Sequence, residues 1–149
     1  MKLEVSRLIN APQQRVFDIF SDLGPLAERI DGIESVQVLT EGPMKVGTRW
    51  KETRIMMGKP RTEEMWITAM EAPNFYTAEA ESCGSQYVST LSFQAEGEGT
   101  RVSMTFVGKP VTLLAKLMSP LGVLFAGSIR KVMAKDLEEL AKVCEAPEA

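Results

Sequence analysis

Three charged residues, Glu52, Arg54 and Glu63, offer the most direct route to chemistry in this chain. Residues two apart in a strand point to the same face, so Glu52 and Arg54 are neighbours if this segment is a strand. A two-residue turn at Gly58-Lys59 would place Glu63 directly across from Arg54. Two carboxylates beside a guanidinium could orient a carbonyl or hydroxyl group of a ligand, or act on it as acid or base. The alternative is an ion pair at the open end of a sheet.

Residue types that are missing or rare limit the chemistry further. The chain has no histidine, which excludes Ser-His-Asp and Cys-His nucleophile systems and removes the commonest metal ligand. Its two cysteines, Cys83 and Cys144, fit no metal-binding spacing and are expected to be free thiols. We therefore expect neither a metal site nor a cofactor, and we assign no catalytic residue.

Bulk composition is that of an ordinary globular domain. The 149 residues fit one domain, 1–149, and a net charge of −3 without a basic run argues against nucleic acid as a partner. No apolar stretch is long enough to span a bilayer, so we expect no stable membrane insertion. The N-terminus, MKLEVSRLIN, alternates and carries charges, unlike a signal peptide, which predicts a cytoplasmic location. The sequence names no protein partner.

Proline and glycine divide the chain into an early helix, a run of hairpins and a final helix. Residues 2–10 alternate as a strand, and 12–22 follow as a helix with Asn10 as its expected N-cap and Pro12 in its first turn. A short second helix fits residues 25–29. The strands from 33–40 to residue 107 are separated by turns at Glu41-Gly42-Pro43, Gly58-Lys59, Pro73-Asn74, Gly84-Ser85 and Glu96 to Gly99.

The predicted turns test whether these strands form one sheet. If Gly58-Lys59, Pro73-Asn74 and Gly84-Ser85 are two-residue loops, each loop sets a register, and each register decides which side chains share a face. One face then collects mostly apolar residues and the other mostly polar ones, as in an antiparallel sheet with one side in water. Ile55 and Trp66 fall on the polar face and are the clearest exceptions.

The C-terminal segment supplies a cover for the apolar face. Residues 112–144 are helical in pattern, with apolar side chains recurring every three to four positions. This stripe consists of Met118, Leu121, Phe125, Ile129, Val132, Met133, Leu137, Leu140 and Cys144. Pro120 and Gly122 interrupt the pattern, which predicts either a kink that makes the helix start a mobile gate or a short helix before the main one.

Small residues on the apolar face predict a cavity. Its middle strands carry Ala69, Ala78, Ala80, Ser82 and Ser89, where a sheet packed on a helix usually has Val, Ile or Leu. The alternative is that the helix lies closer to the sheet at these positions. If the cavity exists, we expect it to bind a hydrophobic small molecule beside Ser89. The other residues expected in this site are Trp50, Met65, Tyr87, Leu91, Met104, Met118, Leu121 and Phe125 in the wall, and Glu52, Arg54 and Glu63 at the polar end.

Several short marks together resemble one protein family. They are the Ala-Pro pair before the Val-Phe helix, Ser21-Asp22 at its end, Gly32-Ile33 before a strand, V-G-T-R-W at 46–50 and D-L-E-E-L at 136–140. In this order they resemble polyketide cyclase/dehydrase-like proteins of the SRPBCC, or START/Bet v 1-like, superfamily. The resemblance implies an α+β helix-grip fold: a curved seven-stranded antiparallel sheet wrapped around a long C-terminal helix, with two short helices after the first strand. It also implies a hydrophobic cavity, but no catalytic residue, since the members share no catalytic motif.

Three hypotheses about function follow. The leading one is a binding or carrier protein for a hydrophobic small molecule of lipid, isoprenoid or polyketide type. The alternative is a cyclase or dehydratase in which Glu52 or Glu63, with a pKa raised by burial, acts as acid or base while Arg54 polarises a carbonyl. The third is an interaction module that docks on a protein or a membrane surface through Leu113–Phe125.

Overall fold

The computed structural model describes residues 1–56, 58–82 and 84–147, apart from the side chains of 119 and 121–124. The strands in this part are β1 (Lys2–Ile9), β2 (Ile33–Val38), β3 (Arg49–Met56), β4 (Lys59–Glu71), β5 (Phe75–Ser82), β6 (Ser85–Glu96) and β7 (Gly99–Pro110). The helices are α1 (Gln13–Phe20) and α2 (Leu26–Arg29) after β1, and α3 (Leu113–Leu124) and α4 (Ala126–Glu145) after β7.

The seven strands form one antiparallel sheet in the order β1-β7-β6-β5-β4-β3-β2. Strands β2 to β7 are neighbours both in sequence and in space, and β1 pairs with β7 from Lys2↔Val107 to Ile9↔Thr100. Helices α1 and α2 connect the two edge strands, while α4 packs against the inner face of the sheet. The predicted α+β helix-grip fold is confirmed.

The β3–β4 turn lies one residue earlier than predicted. The strands pair at Met56↔Lys59, so Gly58 occupies the second turn position rather than the first, and the β5–β6 turn at Gly84 differs in the same way. The positive φ angles of Gly58 and Gly84, 78° and 75°, lie in the region that favours glycine. Moving a turn by one residue moves the register by two, which leaves the side chains on their predicted faces.

The observed register changes the partners of the charged residues. Glu63 pairs with Glu52, and Arg54 pairs with Arg61, so the predicted pairing of Arg54 with Glu63 is wrong. All four residues still lie on the inner face. Like charges opposite each other are unfavourable. For Arg54 the compensating group is the carboxylate of Asp136 on α4.

A β-bulge in β4 corrects the placement of Ala69. The loop between β4 and β5 is one residue longer than predicted and includes a cis Ala72–Pro73 peptide bond. The register shifts between Ile67 and Ala69. Because of this shift, the part of β4 up to Ile67 keeps its predicted alternation although the loop is longer. Between the bulge and the loop, Met70 rather than Ala69 packs against the core. The prediction that Ala69 lies on the inner face is therefore wrong.

The first helix begins later than predicted. Pro12 is the N-cap of α1 and makes no side-chain cap hydrogen bond, so the expectation that Asn10 caps this helix is wrong. The backbone N–H of Asn10 donates instead to Glu145 Oε2 at 2.8 Å. Gln13 Nε2 donates to the backbone oxygen of Phe93 at 2.7 Å. These two bonds connect the start of α1 to the end of α4 and to β6.

The C-terminal segment is divided at Phe125, not at Pro120. Pro120 lies inside α3, and α4 begins at Ala126. A short helix before the main one, the second of the two predicted alternatives, describes this arrangement. Buried side chains of α4 are Met133, Asp136, Leu137, Leu140, Ala141 and Cys144. All of them except Asp136 and Ala141 belong to the predicted apolar stripe.

Candidate functional site

A cavity of about 330 Å³ lies between the inner face of the sheet and α4. Strands β3 to β7 form much of its wall, side chains of α4 cover it, and residues from α1 and α2 close one end. Most of the lining residues are apolar, and the charged ones all come from the neighbouring strands β3 and β4 and from α4: Glu52, Arg54, Arg61, Glu63 and Asp136. The space therefore has an apolar body and one polar side.

Small residues in the middle of the sheet create this space. Ala78, Ala80 and Ser89 line the cavity on β5 and β6. In the sheet register Ala80 stands between Met65 and Tyr87, so the alanine leaves a hollow between two larger side chains. At these positions the structure therefore has a cavity rather than a helix packed closer to the sheet.

Nine of the twelve residues predicted for the site lie in the cavity wall. They are Trp50, Glu52, Arg54, Glu63, Met65, Tyr87, Ser89, Leu91 and Met104. All nine come from strands, where alternation decides which face a side chain occupies. Their contact with a ligand remains a prediction.

The other three predicted residues come from the C-terminal segment, and none of them is among the described residues of the cavity wall. Met118 and Phe125 are 50% and 49% exposed and do not line the cavity, so their predicted place in its wall is wrong. The side chain of Leu121 lies outside the described residues. Helix α3 ends at Leu124 and α4 begins at Ala126, so the two are separate helices. Among the described side chains of the C-terminal segment, those in the cavity wall run from Ile129 to Leu140 of α4.

The charged side chains in the wall connect the sheet to α4. Arg54 Nε donates to Glu52 Oε2 at 2.8 Å, and Arg54 Nη2 donates to Asp136 Oδ2 at 2.6 Å. Arg54 Nη1 also donates to Asp136 Oδ1 at 3.3 Å, which makes the contact with α4 bidentate. One guanidinium thus holds two carboxylates, one from its own strand and one from the helix. We term Glu52, Arg54 and Asp136 the arginine bridge.

Arg61 and Asp136 line the cavity but are absent from the predicted site, and of the two only Asp136 has an ion-pair partner among the described residues. It lies on the apolar stripe of α4, three residues after Met133 and four before Leu140. A carboxylate at a core-facing position needs a partner, because burial of an unpaired charge is costly. An acidic residue inside an apolar stripe, together with an inward-facing Arg54, is the signal that could have identified the pair.

Burial and pairing act in opposite directions on the arginine bridge. Burial alone would lower the pKa of Arg54, but the carboxylates of Asp136 and Glu52 outweigh it and raise this pKa, so the guanidinium stays charged. Burial raises the pKa of Asp136 above its ordinary value, and pairing with Arg54 opposes that effect. With all three groups ionised, the two carboxylates exceed the one guanidinium, and this part of the wall is net negative.

Two further charged residues of the wall, Arg61 and Glu63, are less enclosed than the bridge. Arg61 is exposed and Glu63 is half-buried. Neither one forms an ion pair or a hydrogen bond through its side chain with another residue in the described ranges. Their charged groups are therefore open to a ligand or to solvent at the edge of the cavity.

The aromatic residues of the wall have different surroundings. The hydroxyl group of Tyr76 is buried and donates to the backbone oxygen of Phe20 at 3.3 Å, and burial raises its pKa. Tyr87 stacks on Phe106, with ring centroids 5.4 Å apart. Trp50 Nε1 is buried and has no hydrogen-bond partner among the described residues. Tyr76 thus has a structural bond at its tip, whereas Trp50 carries an unsatisfied donor.

The described residues contain neither a metal-binding cluster nor a membrane-spanning helix. No three His, Cys, Asp or Glu side chains among the described residues come together in a way that could hold a metal ion. None of the described helices has both the length and the apolarity needed to cross a bilayer. Cys144 is a free, buried thiol, and Cys83 lies outside the described residues.

A family model described as polyketide cyclase / dehydrase and lipid transport matches residues 1–145. The chain belongs to this family. The match includes every strand and both layers of the cavity wall, which confirms the family that the sequence marks resemble. No curated protein matches the chain.

Solved structures extend the comparison for this family member. TTHA0849 from Thermus thermophilus is 25% identical, with a TM-score of 0.70, over 98% of this chain and 100% of that one. The di-domain ARO/CYC BexL from the BE-7585A biosynthetic pathway is 17% identical, with a TM-score of 0.77, over 99% of this chain and 51% of BexL. Truncated norcoclaurine synthase from Thalictrum flavum is 14% identical, with a TM-score of 0.72, over 99% of this chain and 95% of that one. The last two likenesses concern the fold alone.

Proposed function

We propose that this protein binds a hydrophobic small molecule, of lipid, isoprenoid or polyketide type, in the cavity between the sheet and α4. The observation that carries the proposal is a cavity of about 330 Å³ that is apolar except on one side. Ligand sites commonly have volumes of about 300–1,000 Å³, apolar walls and a few polar groups that orient the ligand. Membership of a family described by both cyclase/dehydrase and lipid transport activity supports a ligand of this kind.

The cost of an empty cavity supports an occupant. At about 24 cal/mol per Å³, a closed and unfilled void of 330 Å³ would cost about 8 kcal/mol, which is an upper limit here because part of the cavity opens to solvent. This is comparable with the entire free energy of unfolding of many domains, about 5–15 kcal/mol. Water is a poor occupant for the apolar part, because each buried water needs several polar partners. A hydrophobic ligand would therefore stabilise the folded protein when it binds.

The polar side of the cavity indicates which part of the ligand lies there. The members of the arginine bridge pair with one another, and the polar side chains that remain for the ligand include those of Arg61, Glu63, Tyr87 and Ser89. These groups suit a ligand with a hydroxyl or carbonyl group at one end. The arginine bridge would shape the wall and hold α4 over the ligand.

Filling the cavity tests this proposal. Ser89 lies opposite Ala78, so Ser89→Trp would place an indole in the hollow and should abolish the binding of the fluorescent probe N-phenyl-1-naphthylamine. Ser103→Trp is the matched control, because Ser103 is next to the inward-facing Val102 and so lies on the outer face. It should bind the probe like the wild type. The proposal fails if the wild type does not bind the probe, or if a folded Ser89→Trp protein binds it equally well.

Native mass spectrometry would identify the occupant. Protein purified from its own host should carry an added mass from a small apolar molecule, and mild heating in the gas phase should release it. The Ser89→Trp protein, purified in the same way, should lack this mass while Ser103→Trp retains it. The same added mass on both variants would assign the molecule to a place other than the cavity.

Catalysis by a carboxyl group is a second candidate function, favoured by the raised pKa of Asp136 in the cavity wall. A raised pKa favours the protonated form of a carboxyl group, which is the form that a general acid needs. In such a cyclase or dehydratase, Asp136, Glu52 or Glu63 would be acid or base, and Arg54 would polarise a carbonyl. A carbon-13 NMR titration of the carboxyl groups tests this role. If all three groups ionise below about pH 5, as ordinary carboxylates do, none can serve as the acid.

A further inference from the structure

Helix α3 exposes an apolar surface that takes no part in the cavity. Leu113, Leu114 and Leu117 are 70–75% exposed, and Met118 is half exposed. They form two pairs spaced four residues apart, which places them on one side of the helix. Ala115 lies between the pairs in sequence and is partly buried. We term Leu113, Leu114, Leu117 and Met118 the α3 face.

We propose that the α3 face docks the protein on the surface of a bilayer that contains anionic lipids. Contiguous exposed apolar side chains are uncommon on soluble domains and mark surfaces that bind something. A helix that lies in a membrane interface has an apolar face bounded by Lys and Arg, and anionic headgroups attract those charges. Docking of this kind is peripheral and leaves the fold outside the bilayer.

The charge of this region differs in sign from that of the chain as a whole. Residues 99–135 contain six Lys or Arg and no Asp or Glu, although the net charge of the chain is −3. Arg101 and Lys135 form ion pairs with acidic residues from other parts of the chain. Lys109, Lys116, Arg130 and Lys131 belong to the same stretch, before, within and after α3, and Arg130 Nη1 also donates to the backbone oxygen of Glu4. The apolar face and its basic surroundings together match an anionic lipid surface.

The same charges disfavour a second copy of the chain as the occupant. Two copies that pair through the α3 face would form a two-fold interface and bring these basic side chains near their equivalents. Like charges across an interface weaken association, whereas anionic headgroups favour it. The inference does not rest on the proposed ligand, because the α3 face and these basic residues do not line the cavity.

Flotation of the full chain with vesicles tests the docking surface. The wild type should float with vesicles of equal parts phosphatidylcholine and phosphatidylglycerol, and much less with vesicles of phosphatidylcholine alone. Leu114→Glu combined with Leu117→Glu places carboxylates within the α3 face and should abolish flotation. Lys109→Gln combined with Lys131→Gln should weaken binding by about fivefold for each charge removed. High salt should weaken binding of the wild type in the same direction.

Leu8→Glu combined with Leu39→Glu is the matched control for the leucine variant, because both are exposed leucines outside α3. It should float like the wild type. Binding of N-phenyl-1-naphthylamine without vesicles should be unchanged in all variants, which separates a failure of docking from a failure of the cavity proposal. The docking proposal is overturned if the wild type stays in solution or if the double leucine variant floats fully. It is also overturned if the wild type does not float and is a dimer that the leucine variant dissociates.

Discussion

The two ends of the space between the sheet and α4 consist of the same layers but are packed differently. At the end beneath α1, the rings of Phe17, Phe20, Tyr76 and Phe93 meet with centroids 5.3–6.2 Å apart, mostly edge to face. At the other end, alanine and serine on β5 and β6 leave a cavity of about 330 Å³. A sheet and a covering helix therefore do not by themselves fill a core. The sizes of the side chains between them decide whether the space is filled.

This difference separates stability from binding. The packed end gains dispersion and hydrophobic stabilisation from close contacts. The cavity end gives up such contacts and keeps room for a ligand. Substitutions at the two ends should therefore lower the free energy of unfolding by different amounts, even when the same residue type is replaced.

The largest difference is expected between two phenylalanine variants. Phe93 is 2% exposed in the aromatic cluster, so Phe93→Ala should lower the free energy of unfolding by about 3–5 kcal/mol. Phe106→Ala removes the same ring from the cavity wall, where it already borders open space, and should cost less than half as much. Urea denaturation of the ligand-free proteins measures both. Equal losses would show that the two ends are equally well packed.

Loss of the arginine bridge should have the next-largest effect. Asp136→Ala leaves the partly buried Arg54 with a single carboxylate and should lower the free energy of unfolding by about 2–4 kcal/mol. Glu96→Ala is the control, because it removes a carboxylate from an exposed pair with Arg101 and should have little effect. Urea denaturation of the two variants provides the comparison. Similar results for both would mean that the bridge does not hold α4 to the sheet.

Alkaline pH should weaken the packed end through Cys144. Burial raises the pKa of this thiol from 9.0 to about 11. Between these values the thiol is ionised in the unfolded chain but protonated in the folded one, so a rise in pH favours unfolding. The free energy of unfolding should fall by about 1–2 kcal/mol across this window, and Cys144→Ala should remove that part of the fall. Denaturation at a series of pH values tests it, and parallel curves for the two proteins would contradict it.

The smallest effect is expected from Trp50→Phe in the cavity wall. The indole Nε1 has no partner among the described residues, and an unpaired buried donor costs about 1–3 kcal/mol. Removing this donor should stabilise the protein by nearly as much as the lost packing of the smaller ring destabilises it. The free energy of unfolding should therefore change by less than about 1 kcal/mol. Thermal unfolding of the ligand-free protein measures this change. A loss as large as that of Phe93→Ala would mean that the indole N–H has a partner.

Strand alternation made most of the cavity wall predictable. The predicted β3–β4 and β5–β6 turns were each displaced by one residue, yet the resulting register change of two kept the side chains on their faces. Ala69 shows the limit of this argument. A one-residue bulge reverses alternation locally, and no periodic pattern in the sequence marks it.

Placement of the C-terminal segment was less predictable. Met118 and Phe125 continue the apolar spacing of α4 in the sequence, but the helix is interrupted at Phe125 and both side chains are about half exposed. Helical periodicity applies only along an unbroken helix. The same spacing therefore predicted core positions correctly in α4 and incorrectly before it.

By itself, the sequence determined which side chains share a face along each strand and along α4, because that depends on the local geometry of the backbone. Only the tertiary structure decided which groups meet across those faces. Arg54 and Asp136 are 82 residues apart in the chain and form their bidentate contact only because α4 lies across β3. The full aromatic end and the open cavity end were decided in the same way, by how closely two layers approach and by which side chains lie between them.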